Sequence, residues 1–161
     1  MANIEASKFE GKNNWALLLD EHNNIAEGPG DNFFMVKNNT VFTPMGKDIL
    51  RGISREYIFT LCDELGYQCI EKNIDPFDVH EADEAFVTAT PFCILPVTKL
   101  NNLDIGNGKM GDITTKLLDT WSKNVGMDIK KQIIEYSKEV GELLGDAPTP
   151  LQFKRKWNYD E

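Results

Sequence analysis

Glu27-Gly-Pro-Gly-Asp-Asn-Phe-Phe34 sets an acid at the end of the run Asn24-Ile-Ala-Glu27, then a glycine-proline turn, then the start of an apolar segment. Glycines beside an acid let backbone approach a ligand closely, and loops on a rigid scaffold are where binding residues concentrate. A carboxylate in such a pocket can keep a pyridine-type nitrogen protonated, because a buried ion pair favours the charged form of both groups. Taken alone, the stretch also reads as a plain hairpin turn with an ordinary turn acid. Its continuation, Asn32-Phe-Phe-Met-Val36, Lys37-Asn-Asn39 and Thr40-Val-Phe-Thr43, predicts an antiparallel hairpin, since asparagine tolerates the positive φ of a tight turn.

Two later segments suit an anion. Leu50-Arg-Gly-Ile-Ser-Arg55 leads into a helix predicted over 55–65, where Ile58, Leu61, Cys62 and Leu65 fall on one face, with Ser54 as N-cap and Gly66 just past the end. Free N–H groups, the positive end of the helix dipole and a hydroxyl converge at that start, where a phosphate sits readily. Ser54 is explained as well by capping alone. Thr88-Ala-Thr-Pro91 ends a strand in two hydroxyls and a proline, so the chain turns where Thr90 Oγ1 and backbone N–H groups can meet one anion. A β-branched strand end also needs no ligand.

Around these segments the pattern alternates between strands and helices. Residues 3–10 show weak helical periodicity, and Trp15-Ala-Leu-Leu-Leu19 reads as a buried strand. Strands are predicted over 68–74, 84–90, 94–100 and 103–105, the last two turned by Asn101-Asn102, and Asp75-Pro76 opens a short helix. Two helices follow, over 112–124 with Leu117, Leu118, Trp121 and Val125 on one face, and over 128–144 with Ile129, Ile133, Tyr136, Val140 and Leu144. Residues 145–161, with Pro148 and Pro150, read as a tail, extended or packed on a neighbour.

The chain has 161 residues, 41% of them hydrophobic, which suits a single domain with one good core rather than two. A net charge of −9 and no basic stripe longer than Lys154-Arg-Lys156 argue against nucleic acid and against an anionic membrane surface. The first residues carry neither a basic nor an apolar targeting pattern, and no stretch approaches a bilayer span, so a cytoplasmic protein is expected. Cys62, Cys69 and Cys93 make an odd count without a CxxC pair, with His22 and His80 as the histidines. Reduced, half-buried thiols are expected, with no disulfide framework and no metal site.

In order and spacing the chain resembles the fold-type IV pyridoxal phosphate (PLP) enzymes, the class IV aminotransferase family. That family includes branched-chain amino-acid aminotransferase, D-amino-acid aminotransferase and aminodeoxychorismate lyase. The resemblance runs from about Asn3 to Val125. It rests on Trp15-Ala-Leu-Leu-Leu-Asp20, the Glu27-Gly-x-Gly-Asp-Asn-Phe turn, Leu50-x-Gly-Ile-Ser-Arg55, Ala82-Asp-Glu-Ala-Phe86, Pro96-Val97 and Ile105-Gly-Asn-Gly-Lys109 with Gly111. It implies an α/β (α+β) fold, the large C-terminal domain of these enzymes, with a mixed, largely antiparallel strand pseudo-barrel and flanking helices over 1–144.

The resemblance also implies roles. Glu27 matches the acid on the pyridine nitrogen, and Leu50 the apolar residue on a ring face. Gly52, Ile53 and Ser54 match the phosphate-binding helix start. Thr90 matches a second phosphate hydroxyl, with Ala89 where many members have glycine. Pro91 and Phe92 lie toward the substrate, where small residues are common. The family anchors PLP on a lysine of the strand preceding the helix at 3–10, which falls upstream of Met1; Lys8 and Lys12 lie on the wrong side of it. The small N-terminal domain is likewise missing, so a truncated unit that associates with itself or another chain is expected. The implied reaction is amino transfer between an amino acid, branched-chain type favoured, and a 2-oxo acid. The alternatives are a non-catalytic cofactor-domain remnant acting in binding or assembly, and a lyase of the same family.

Overall fold

The computed structural model describes residues 2–9 and 13–144, with residues 3 and 139–144 described by backbone alone. The expected tail at 145–161, Lys12, and the Val140 and Leu144 side chains lie outside what is described.

A six-stranded mixed sheet organises the chain. Its strands are β1 (Glu27–Gly28), β2 (Asp31–Lys37), β3 (Thr40–Thr43), β4 (Gln68–Glu71), β5 (Glu84–Ala89) and β6 (Cys93–Pro96), ordered β4-β3-β2-β5-β6 with β1 on β2. A separate two-stranded sheet pairs β7 (Lys99–Leu100) with β8 (Leu103–Asp104). The helices are α1 (Ala2–Ala6), α2 (Ile53–Leu65), α3 (Pro76–His80), α4 (Asp112–Val125) and α5 (Ile129–Leu144). The β2–β3 hairpin forms as the sequence predicts, with Asn38 and Asn39 at φ 50 and 60°. The β7–β8 turn uses the same chemistry at Asn101 and Asn102, φ 49 and 68°. Asp75 caps α3 in a capping box with Asp78, and Pro76 opens the helix.

The expectation of one core is corrected by the central strand. Phe34 and Val36 of β2 point to one face, where they pack with Val41, Ile58, Leu61, Cys62, Phe86 and the α4 residues Ile113 and Leu117. Phe33 and Met35 point to the other, against Ile25, Ile74, Val79, Ala85, Val87 and Ile105. A strand buried on both faces reads as an unbroken apolar run, as Phe33-Phe34-Met35-Val36 does, and each such side chain contributes roughly 1.5–3 kcal/mol. Phe34 and Phe86 stack across β2 and β5 with centroids 5.0 Å apart.

Three other expectations shift. Residues 15–19 run extended and exchange backbone hydrogen bonds with 24–27, but among the described residues they form only the isolated bridge Leu19–Ile25. This segment lies at the margin of the sheet, so Trp15, Leu18 and Leu19 are exposed rather than buried. The strand expected over 94–100 breaks at Val97-Thr98 into β6 and β7, and Val125 and Tyr136 face solvent.

Helix α2 crosses over between the parallel strands β3 and β4, so its N-terminus opens beside the end of β3. Arg55 on its first turn is buried and fastened to the sheet, donating from Nη2 to Pro44 O and Glu71 Oε1. Helix α4 is tied down from β5. The buried Glu84 carboxylate accepts from the N–H groups of Ile113 (2.9 Å) and Thr114 (2.8 Å) and from Thr114 Oγ1 (2.6 Å). It thereby meets the donors a helix start leaves open, which the N-terminal dipole favours. No disulfide forms: Cys62 is buried, and Cys69 and Cys93 are half-buried, as free thiols. The Cys69 thiol donates to Cys62, which pushes the Cys69 pKa up and the Cys62 pKa down. Among the described residues no helix is long and apolar enough to cross a membrane, and no group of three or more His, Cys, Asp or Glu could hold a metal ion.

Candidate functional site

The three sequence segments meet at the open end of the β2–β5 pair. A cleft of about 260 Å³ is lined by the β1–β2 turn from Glu27 to Asn32, by Leu50, Gly52, Ile53 and Ser54 ahead of and within α2, and by Thr88, Ala89, Thr90 and Pro91 at the end of β5. Phe92 is not in that lining. Its ring packs on the second core and meets Trp15 edge-on at 5.5 Å.

Glu27 is held from two directions. Asn32 Nδ2 donates to Glu27 Oε2 at 3.0 Å, and the Leu50 N–H reaches both carboxylate oxygens at 3.1 and 3.2 Å. Asn32 Nδ2 also donates to Leu50 O at 2.8 Å, joining strand, loop and carboxylate. A Cβ at Gly52 would stand 2.3 Å from Asn32 Oδ1, so a glycine is needed where the chain passes Asn32 on its way into α2.

The expected Ser54 cap is corrected here. The N-cap is Gly52, in extended conformation at φ −68 and ψ 144°, and no side chain caps α2. Ser54 is the second helical residue, so its hydroxyl is not placed to cap the turn it belongs to. It lines the cleft and makes no hydrogen bond to any described residue, while the N–H groups of the first turn have no intrahelical acceptor.

Three members of the site fall inside the sequence motifs without a role of their own there. Asn32 looks like the opening residue of an apolar strand. Thr88 is buried in β5 opposite Asn32, and its Oγ1 has no hydrogen-bond partner among the described residues. Asp31 is buried beside Gly28, where a Cβ would meet its carboxylate at 2.4 Å; burial first and the neighbouring Glu27 charge second push its pKa up to about 6. Among the described residues Glu27 and Asp31 are the titratable groups lining the cleft, and no lysine or arginine lines it.

Residues 1–100 match the model of the family described as Amino-transferase class IV. The branched-chain-amino-acid aminotransferase of Pseudomonas aeruginosa is 39% identical over 102 residues, covering 63% of this chain and 33% of that protein. The crystal structure of the Escherichia coli branched-chain amino acid aminotransferase superposes with a TM-score of 0.66 at 32% identity, covering 67% of this chain and 37% of that one. The Thermobaculum terrenum enzyme, in its PLP holo-form, gives 0.72 at 31% identity, covering 77% and 40%. The mixed sheet with flanking helices is the fold of those enzymes. The chain belongs to the class IV aminotransferase family. It spans about a third of the length of the curated relatives it matches.

Proposed function

We propose that this chain is the cofactor-cradling unit of a PLP-dependent aminotransferase that moves an amino group between an amino acid, branched-chain type favoured, and a 2-oxo acid. The observation carrying this reading is the convergence of Glu27, Ser54 and Thr90 on one cleft. The family implies PLP, and the donor set fits it: a carboxylate for a ring nitrogen, and hydroxyls with open helix N–H groups for a phosphate. The Ser54 and Thr90 hydroxyls and the N–H groups of Ile53 and Ser54 would take the phosphate, and Leu50 would cover a ring face. When bound, PLP supplies an aromatic system that accepts the electron pair left when the amino acid loses its α-proton.

Glu27 would hold a proton at the ring nitrogen, which would keep that system electron-poor. Asn32 and the Leu50 N–H fix the direction of its carboxylate. The small cleft residues Gly28, Gly30 and Ala89 leave room for a flat ring. We further propose that residues 1–144 form the large-domain unit and that the protein works as a homo-oligomer. A cleft lining without lysine among the described residues favours, as the second reading, a unit that binds the cofactor without covalent attachment.

Equilibrium dialysis of the chain against PLP, with borohydride reduction and peptide mapping, tests both. Saturable binding, weakened by Ser54→Ala with Thr90→Ala, is expected, at about 1–3 kcal/mol per lost charge-assisted hydrogen bond. Reduction that fixes PLP on a lysine supports covalent chemistry, reversible binding alone supports the second reading, and no saturable binding overturns the cradle.

A further inference from the structure

Among the described residues Thr88 Oγ1 is the buried hydroxyl without a partner, and it belongs to a residue lining the cleft. Thr88 is 1% exposed, so water does not replace the missing hydrogen bond in any ordinary way. Its position is not an accident of a loose end, because β5 pairs with both neighbours there: Thr88 stands opposite Asn32 on β2 and opposite Ile94 on β6. The Asn32 Nδ2 donor is directed to Glu27 and Leu50 rather than to Thr88. A valine would fill the same volume without burying an unpaired polar group, and at a strand position of this kind valine is a favoured residue. Threonine here therefore retains a donor that the fold does not use. No basic side chain among the described residues lines the cleft, so O–H and N–H groups are what they can offer to a negatively charged oxygen.

We propose that Thr88 is a further cofactor-binding residue, donating its O–H to an anionic oxygen of PLP. This rests on the reading of the cleft as a PLP cradle. Two oxygens share the required chemistry, the phosphate and the ring phenolate, and binding probes tell them apart.

The test compares wild type, Thr88→Val and Thr88→Ser by thermal unfolding without ligand and by calorimetric titration with PLP, pyridoxal and inorganic phosphate. Thr88→Val should unfold at a higher temperature than wild type yet bind PLP roughly fivefold or more weakly, as the loss of one hydrogen bond to an ionised group predicts. Thr88→Ser, which keeps the hydroxyl, should bind PLP more tightly than Thr88→Val. A parallel loss for pyridoxal assigns the contact to the ring oxygen, and a parallel loss for phosphate assigns it to the phosphate; either supports the proposal. PLP affinity unchanged in Thr88→Val, or lowered equally in Thr88→Ser, overturns it while the cradle stands. Failure of wild type to bind PLP overturns the cradle and this proposal together. Should Thr88→Val fail to fold, Thr88→Ala against Thr88→Ser gives the same comparison of affinities.

Discussion

Asn32 Nδ2 lies 3.0 Å from Glu27 Oε2 and 2.8 Å from Leu50 O, so one amide group spans the acid of the first motif and the backbone of the second. The register Glu27↔Asn32 places both side chains on one face of the β1–β2 pair. Orientation of the acid is thus built into the hairpin and does not await a ligand.

Asn32→Leu keeps the size of the side chain and removes both bonds. It is expected to cost about 2 kcal/mol, one charge-assisted and one neutral hydrogen bond, with part of the loss due to the unpaired Leu50 carbonyl. Urea unfolding measures the cost. A loss below a few tenths of a kcal/mol would show that the span contributes orientation only.

Asp31 makes stability depend on pH in an unusual direction. Its pKa is about 6 in the folded chain against 3.8 for the ordinary group, so the native state binds more protons between these values, and stability falls as pH rises through that window. Asp31→Asn should therefore stabilise the protein by about 1–2 kcal/mol at pH 7.5, allowing for solvent screening in an open cleft, and have little effect at pH 4. Urea midpoints at the two pH values decide the matter, and a gain of equal size at both would contradict it.

Glu84 carries the start of α4. Glu84→Ala leaves the N–H groups of Ile113 and Thr114 and the Thr114 hydroxyl without their acceptor, at an expected cost of about 3 kcal/mol. Glu84→Gln keeps an acceptor and should lose about half as much. Hydrogen exchange of the 113–117 amides locates the effect; protection that stays at wild-type level in Glu84→Ala would refute it.

Gly106 cannot be replaced cheaply. Its φ is +55°, and a Cβ would stand 2.1 Å from the backbone oxygen of Asp83, an atom that cannot swing aside. Gly106→Ala is expected to destabilise by about 3 kcal/mol or more, whereas Gly66→Ala, at φ +74° in open space, should cost about 1 kcal/mol. Thermal unfolding of the pair checks the ordering.

Local chemistry made much of this fold legible. The asparagine turns, the Asp75-Pro76 helix start and the face of α2 from Ile58 to Leu65 each follow from a residue's own conformational preference. What stayed hidden depends on partners distant in sequence. Ser54 looks like a cap because serine before an amphipathic run usually is one; the helix starts instead at Ile53, with Gly52 as its N-cap set close against Asn32 Oδ1. Thr88 reads in the sequence as one of two hydroxyls at a strand end, with Thr90 the one assigned to the anion; only the packed sheet reveals that the Thr88 hydroxyl is unpaired. The two cores could be read from the unbroken Phe33–Val36 run, but the count of apolar residues pointed to one.

The side chain of Arg55 reaches into the sheet toward Pro44 O and Glu71, leaving α2 to present bare amides to the cleft. Any doubly charged guest must then be neutralised by dipoles in the company of Glu27 and Asp31, or arrive with a counter-ion of its own. Occupancy should accordingly rise as the solution is acidified from pH 7.5 toward 5.5, when Asp31 takes up its proton. The proton carried by Asp31 is in this way a determinant of loading alongside the shape of the cradle.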